Sequence, residues 1–88
     1  MEEKELERIL KALANRRRLL IVYFLQKEKE KSVGEIADHI KISFKATSKH
    51  LYILANANAL EREQRGLQMF YSINKDAPDI VKRFLRVL

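Results

Sequence analysis

Residues 42–54 combine hydrogen-bond donors, positive charge and aromatic surface, and they contain no carboxylate. Ser43 is a helix-start signal, because its hydroxyl can accept a hydrogen bond from a backbone N–H one turn later. Helical spacing places one group of residues on a single side of the helix that follows: Ala46, Thr47, Leu51 and Leu54. The other side carries the side chains that could do chemistry: Lys45, Ser48, Lys49 and Tyr52, with Phe44 and His50 between the two sides.

This stretch lies within a longer segment, residues 39–60, that lacks Asp and Glu although the chain holds 12 of them. A solvated helix normally mixes both signs of charge, so a helix face without carboxylates suits an anionic partner. We therefore interpret the helix that follows Ser43 as a DNA-recognition helix.

Length and composition narrow the function classes. Eighty-eight residues make one domain, residues 1–88, and the net charge of +6 favours nucleic acid or an anionic membrane. The longest apolar run, residues 19–25, has seven residues, whereas a membrane span needs about 20. With no signal peptide visible either, we expect a cytoplasmic location and no membrane contact.

The sequence also lacks the residue patterns of enzymes and of thiolate metal sites. There is no cysteine, which excludes disulfides and zinc–thiolate sites. There is no nucleophile–base spacing, no glycine-rich phosphate loop and no pair of carboxylates on a predicted pocket. We therefore predict that the chain is not an enzyme and binds no cofactor.

Two helices are predicted before the recognition unit. The first, over residues 2–14, carries a single apolar stripe that can pack either on its own domain or on a partner. Asn15 is the cap candidate of the second, which runs to about Lys27. For Arg16–Arg18, at its start, two interpretations are open. Either the arginines are solvated and one or two of them form structural pairs, or one of them contacts a phosphate. The alternating charges of residues 27–31 indicate a solvated helix end and loop.

A helix-turn-helix is predicted next. Ser32-Val33-Gly34-Glu35 matches the capping box of a short third helix that ends near Ile40. Only a tight turn then remains before Ser43, and two short helices across such a turn place the second in the major groove. The fourth helix should end at residues 56–58, with Asn58 in the left-handed region that Asn tolerates.

A β-hairpin and a last helix complete the predicted order α-α-α-α-β-β-α. Strands over residues 60–64 and 68–73 flank Gly66, which can take the positive φ of a hairpin turn. A hairpin directly after a recognition helix is a wing. Asp76 or Ala77 should cap the last helix, with Pro78 in its first turn. The fold class is thus a mainly α winged helix-turn-helix.

Taken together, the motifs and their order resemble the ArsR/SmtB family of winged helix-turn-helix repressors over about residues 6–75. The matching segments are Leu10–Leu19, Ser32–Ala37, Ile42-Ser43 with Ala46–Leu51 and Leu54, and Arg65-Gly66 with Phe70–Ile73. The resemblance implies a homodimeric transcription regulator, joined through its first and last helices, that binds operator DNA. A twofold dimer places two recognition helices about one DNA turn or a multiple apart, so we expect the operator in double-stranded DNA to be an inverted repeat. Members of the family often release DNA on metal binding.

The resemblance also implies roles for individual residues. The family's DNA-contacting positions fall on Ser43, Phe44, Lys45, Thr47, Ser48, Lys49 and His50, with wing contacts near Arg65 and Gln68. Three of these residues, Lys45, Lys49 and Arg65, are the expected phosphate anchors. Arg62, which lies outside this set, is a further candidate anchor. Phe44 stands where a glutamine is common, which favours contact with a thymine methyl group. The predicted dimer surface comprises Leu6, Leu10, Ile80, Phe84, Leu85 and Leu88.

The metal sites of the family have no counterpart in this sequence. Thiolate sites need cysteine, and the last helix offers only Asp76 and Asp79, with no histidine after His50. Asp38 and His39 are too few for a closed four-ligand site, so we expect His39 to be a surface residue. His50 is either a partly buried helix residue or a direct DNA contact. The alternative function is a winged-helix protein-interaction module in a larger assembly, which has no operator of its own.

Overall fold

The computed structural model describes all 88 residues and contains five helices and a three-stranded antiparallel sheet. The elements, in chain order, are α1 (Glu3–Leu13), α2 (Arg16–Glu28), β1 (Glu30–Ser32), α3 (Val33–Ile40), α4 (Phe44–Asn56), β2 (Leu60–Arg65), β3 (Gln68–Ile73) and α5 (Asp79–Val87). The predicted fold class and the order of the helices and hairpin strands are confirmed. The strand β1 is an addition that the sequence did not reveal.

Side-chain caps fix where three of the helices begin. The Asn15 Oδ1 atom accepts from the backbone N–H groups of Arg17 and Arg18, at 3.0 and 3.2 Å. Ser32 and Glu35 form the complete predicted capping box, in which each side chain accepts from the other's backbone N–H. Hydrogen bonding to the Glu35 carboxylate, first from the Ser32 backbone N–H and then from the Ser32 side chain, lowers the pKa of Glu35. Ser43 caps α4 in the same way as Asn15 caps α2, with a side-chain oxygen that accepts from a backbone N–H. The predicted boundaries of α2, α3 and α4 are confirmed to within one or two residues.

The strand β1 was predicted to be part of a solvated helix end and loop. Glu30, Lys31 and Ser32 pair instead with Ser72, Tyr71 and Phe70 of β3, so the sheet order is β1-β3-β2. A three-residue strand has too few positions to show an alternating pattern, and its hydrogen bonds depend on a partner about 40 residues away along the chain. The wing is consequently attached to the segment that leads into α3.

The last helix starts later than predicted. Pro78 is its N-cap residue rather than a first-turn residue, and neither Asp76 nor Ala77 caps it with a side chain. The Asn74 side chain accepts from the Asp76 backbone N–H at 3.0 Å, which holds this segment in a turn. In addition, a residue that precedes proline is disfavoured in the helical region, so Ala77 remains outside α5.

The hydrophobic core lies where α1, α2, α3 and α4 meet one face of the sheet. Its most buried large side chains include Ile21, Leu25, Ile36, Leu51 and Leu54. The second helix buries Ile21, Val22 and Leu25 on one side, whereas Leu20 and Tyr23 of the same apolar segment remain exposed. None of the helices is both long and apolar enough to cross a lipid bilayer.

Candidate nucleic-acid interface

The turn between α3 and α4 consists of three residues, Lys41, Ile42 and Ser43. Lys41 takes a left-handed conformation with φ of 60°, and its N–H donates to the Ala37 carbonyl at 2.8 Å, which ends α3. Ser43 then begins α4, because its Oγ atom accepts from the Ala46 N–H at 3.1 Å. The predicted helix-turn-helix geometry is present.

The outward side of α4 carries the predicted mixture of cations, donors and rings. Its exposed residues are Phe44, Lys45, Lys49, Tyr52, Ile53 and Asn56, and Ser48 is half-buried beside them. Phe44 is the most exposed of the large apolar residues on this helix, at 62%. No carboxylate belongs to α4 or to the turn before it, so the surface is positive and can approach phosphates without repulsion.

Thr47 belongs to the core rather than to the outward side of α4. It is fully buried, and its hydroxyl donates to the Ser43 carbonyl at 2.8 Å. A side chain without exposed surface cannot reach a base edge or a phosphate, so the DNA contact suggested for Thr47 is wrong. The helical spacing had already placed it beside Leu51 and Leu54, and that part of the prediction is confirmed.

His50 is half-buried and is bound by an arginine from α2. The Arg18 Nη1 group donates to His50 Nδ1 at 3.1 Å, which requires the ring proton to reside on Nε2. Burial, together with the positive charges of Arg18 and Arg17, lowers the pKa of His50. The ring is therefore neutral near pH 7 and can offer Nε2–H as a donor.

Arg18 is a functional residue whose individual role the sequence did not show. Its Nε and Nη2 groups donate to the carbonyls of Ala12 and Lys11, at 2.6 and 3.2 Å. These carbonyls belong to the last turn of α1, where the helix leaves acceptors unpaired and favours a positive charge. Arg18 thus connects the end of α1, the start of α2 and the middle of α4. Crowding of three arginines at a helix N-terminus suggested a structural pair but could not identify which one forms it.

The wing is a regular hairpin with its turn at Gly66 and Leu67. Gly66 has a φ of 60°, as predicted, and Leu67 at the tip is fully exposed. Arg65 and Gln68 form the last cross-strand pair before the turn, and Gln68 is exposed. The Arg65 guanidinium, however, is paired with Glu30 and Glu63, so it is not a free cation.

The predicted dimer residues divide into two groups. Leu6, Leu10 and Leu88 are exposed at 37%, 47% and 44%. Ile80, Phe84 and Leu85 are half-buried and pack against the domain's own core. The apolar stripe of α1 thus serves both possible roles, because Ile9 and Leu13 are buried in the domain while Leu6 and Leu10 remain uncovered.

No cluster of three or more His, Cys, Asp or Glu side chains lies close enough together to hold a metal ion. His39 is a surface residue whose ring stacks on Phe24, with 3.8 Å between the ring centroids. The absence of a metal-sensing site stays a prediction.

Comparison with protein families and known proteins gives consistent results. Residues 15–61 match the family model described as "Bacterial regulatory protein, arsR family". The arsenical resistance operon repressor of Bacillus subtilis is 30% identical over 73 residues, which are 83% of this chain and 70% of that protein. The chain spans 55% to 70% of the length of the curated relatives that it matches.

Solved structures show the same fold. HlyU from Vibrio cholerae superimposes with a TM-score of 0.79 and 29% identity, covering 99% of this chain and 97% of that chain. The second is the solution structure of a homodimeric winged helix-turn-helix DNA-binding domain from Mycobacterium bovis. It has a TM-score of 0.80 and 30% identity, covering 96% of this chain and 74% of that chain.

Proposed function

Since the chain belongs to the arsR family of bacterial regulatory proteins, we propose that it is a transcriptional repressor that binds double-stranded DNA sequence-specifically. In this proposal it acts as a cytoplasmic homodimer without a metal-sensing site. The observation that carries the proposal is the outward side of α4, where exposed lysines and an exposed phenylalanine stand without any carboxylate. The family consists of regulatory proteins, which agrees with the prediction that the chain is not an enzyme.

The side chains of α4 divide by chemistry into phosphate anchors and base readers. Lys45 and Lys49 are exposed cations and suit phosphate oxygens, which fix position but carry no sequence information. Phe44, in the first turn, suits a base edge, because the N-terminal residues of a recognition helix point into the major groove. Ser43, Ser48 and the Nε2–H group of His50 supply polar contacts beside it. Gln68 supplies a wing contact.

A dimer explains how so small a domain would find and hold an operator. Two copies carry 2 × 6 = 12 net positive charges, which steer the approach to DNA. A twofold axis would place two copies of α4 about one DNA turn, roughly 34 Å, or a multiple of it apart, so the operator should be an inverted repeat. The homodimeric state of the Mycobacterium bovis domain supports this arrangement.

The DNA-binding proposal is tested by reversing one charge on α4. Lys49→Glu should weaken binding to a duplex selected from random sequence by more than tenfold at 0.1 M salt. It should also lower the slope of log K against log [salt] by about 0.9 for each phosphate that the variant no longer neutralises. The melting temperature should stay the same, because an exposed helix position tolerates substitution within about 0.5 kcal/mol.

Lys75→Glu is the matched control. Lys75 is also exposed, and its replacement by glutamate changes the net charge by the same amount, but it lies in the turn before α5. If both variants lose affinity to the same extent, the effect is one of overall charge and α4 is not the interface. If the unmodified chain selects no duplex at all, the protein-interaction module becomes the better description.

The dimer proposal is tested at Leu10, which is exposed on α1. Leu10→Asp should give monomers in sedimentation at micromolar concentration, since burial of a leucine contributes roughly 1.5–3 kcal/mol and a twofold interface contains it twice. Leu10 is a cleaner choice than Phe84, which packs on the domain's own core. Leu67→Asp, at the exposed wing tip, should remain dimeric. A monomeric wild type, or a dimeric Leu10→Asp variant, would refute this interface.

A further inference from the structure

The wing has two chemically different faces, and its two arginines lie on opposite ones. Side chains alternate along a strand, so Glu61, Glu63 and Arg65 share one face of β2 while Arg62 and Gln64 share the other. The pairing register places Phe70 opposite Glu63 and Tyr71 opposite Arg62. The two arginines therefore have different neighbours, although they are only three positions apart.

Arg65 is held by two carboxylates and an aromatic ring. Its Nη1 and Nη2 groups donate to Glu30 Oε1 and Oε2 at 2.8 and 2.7 Å, and Nη2 also donates to Glu63 Oε1 at 2.7 Å. The guanidinium carbon lies 4.6 Å from the centre of the Phe70 ring. Such a two-point pairing has the geometry in which arginine and carboxylate bind most strongly. The pairing raises the pKa of Arg65 and lowers that of Glu63.

This network connects the wing to the opposite edge of the sheet. Glu30 belongs to β1, whereas Arg65 and Glu63 belong to β2, and β3 lies between them. The Arg65 side chain thus crosses the whole sheet and fastens the hairpin close to its tip. Because β1 leads directly into α3, this contact adds to the β1–β3 strand pairing in holding the wing against the helix-turn-helix.

The carboxylates that bind Arg65 oppose its turning towards a phosphate backbone. Glu30 and Glu63, which bind the guanidinium, line an open groove of about 840 Å³ whose other charged residues are Lys29, Glu61, Arg62 and Lys75. If Arg65 turned towards DNA, it would leave Glu30 and Glu63 unpaired beside phosphates, and like charges repel. Arg65 is therefore less available to a phosphate than an arginine without a carboxylate partner.

Arg62 lies on the face that continues towards α4. Leu60 and Tyr71, on the same side of the sheet, pack in one core with Leu51 and Leu54 of α4. Arg62 itself is exposed and takes part in no ion pair or side-chain hydrogen bond, so its charge is available. A long side chain of this kind can lie along an apolar surface with its charged end in water.

We propose that Arg62 supplies the phosphate contact of the wing and that Arg65 is a positioning residue, which fastens the wing to β1 without touching DNA. This inference rests on the proposed DNA-binding function and revises the role that the sequence gave to Arg65. It assigns a partner to each arginine: a DNA phosphate to Arg62, and Glu30 of β1 with Glu63 of β2 to Arg65.

A charge swap tests the role of Arg65. Arg65→Glu alone should weaken binding to the selected duplex at least tenfold and speed hydrogen exchange of the hairpin amides. In the double variant Arg65→Glu with Glu30→Arg, the new arginine faces both Glu63 and the introduced glutamate. Net charge is that of the wild type, and we expect affinity within threefold of wild type and restored amide protection. A contact of Arg65 with phosphate could not be rescued in this way.

The salt dependence tests the role of Arg62. Arg62→Gln should lower the slope of log K against log [salt] by about 0.9 per protomer, because one phosphate is no longer neutralised. The charge-swapped double variant should keep the wild-type slope. The proposal is overturned if the double variant binds as weakly as Arg65→Glu, or if Arg62→Gln leaves both slope and affinity unchanged. Salt-dependent binding by the wild type in the same assay shows that the proposed function stands in either case.

Discussion

The Arg18 side chain offers the sharpest test of how this small domain is held together. Arg18→Met removes the guanidinium but keeps most of the apolar stem. It leaves the Ala12 and Lys11 carbonyls without their donor, and it leaves the Nδ1 atom of His50 without a partner. The structure therefore predicts a loss of stability that exceeds that of any other arginine replacement in α2.

The size of this loss follows from the three hydrogen bonds. Hydrogen bonds to a charged group contribute about 1.5–3 kcal/mol when well shielded. Two of the three Arg18 hydrogen bonds are part-buried and one is exposed, so we discount them to roughly 2–3 kcal/mol in all. For a domain of this size, that loss corresponds to a fall in Tm of about 10–20 °C.

Thermal and urea unfolding of Arg18→Met and Arg17→Met would measure the difference. Arg17 is exposed, and only its backbone N–H makes a hydrogen bond, so its replacement should change the free energy of unfolding by less than about 0.5 kcal/mol. Both variants remove one positive charge from the start of α2, so the helix-dipole contribution is matched. Melting temperatures within about 2–3 °C of each other would refute the proposed connecting role of Arg18.

Three further predictions concern pH, sequence readout and metals. The pKa of His50 is lowered in the folded state. As the pH falls, this histidine is therefore protonated at a higher pH in the unfolded chain than in the folded one. The free energy of unfolding should therefore fall as pH drops below about 6.5, where the unfolded His titrates. His50→Asn keeps an acceptor for Arg18 and should remove that part of the pH dependence, so an unchanged dependence would contradict the role of His50. Replacing one thymine per half-site by deoxyuridine should cost the wild type affinity but leave Phe44→Ala unaffected, which competition binding would show. Stoichiometric zinc should leave operator affinity unchanged, and a tenfold shift would reveal ligands that meet only between two copies.

Features set by local chemistry were predictable, and features set by distant partners were not. The caps at Asn15, Ser32 and Ser43 follow from side chains that bond within three residues, and the structure contains all three. The strand β1 and the pairing of Arg65 depend on partners that lie far along the chain. Their residue types alone, a charged run and a turn arginine, are equally typical of solvated surface.

The candidate site shows the same division. Helical periodicity placed Lys45, Lys49 and Tyr52 on the outward side of α4 correctly, because burial follows from spacing. Phe44, which the spacing placed between the two sides, is exposed as well. The resemblance assigned Thr47 a DNA contact, whereas the apolar spacing assigned it to the buried side of α4. Its complete burial agrees with the spacing. His50 stood between two roles in the sequence, and only its hydrogen bond to Arg18 identified its tautomer.

The two outer strands of the sheet determine how copies of this chain can associate. Open strand edges are templates for unwanted pairing that can grow into fibres. Here one edge, β1, is only three residues long, and the other, β2, carries charged or polar side chains at every position from Glu61 to Arg65. Neither edge can extend into a continuous sheet between molecules. Helical surfaces are thereby favoured over strand edges for contact between copies, and a concentrated solution should form no β-sheet filaments.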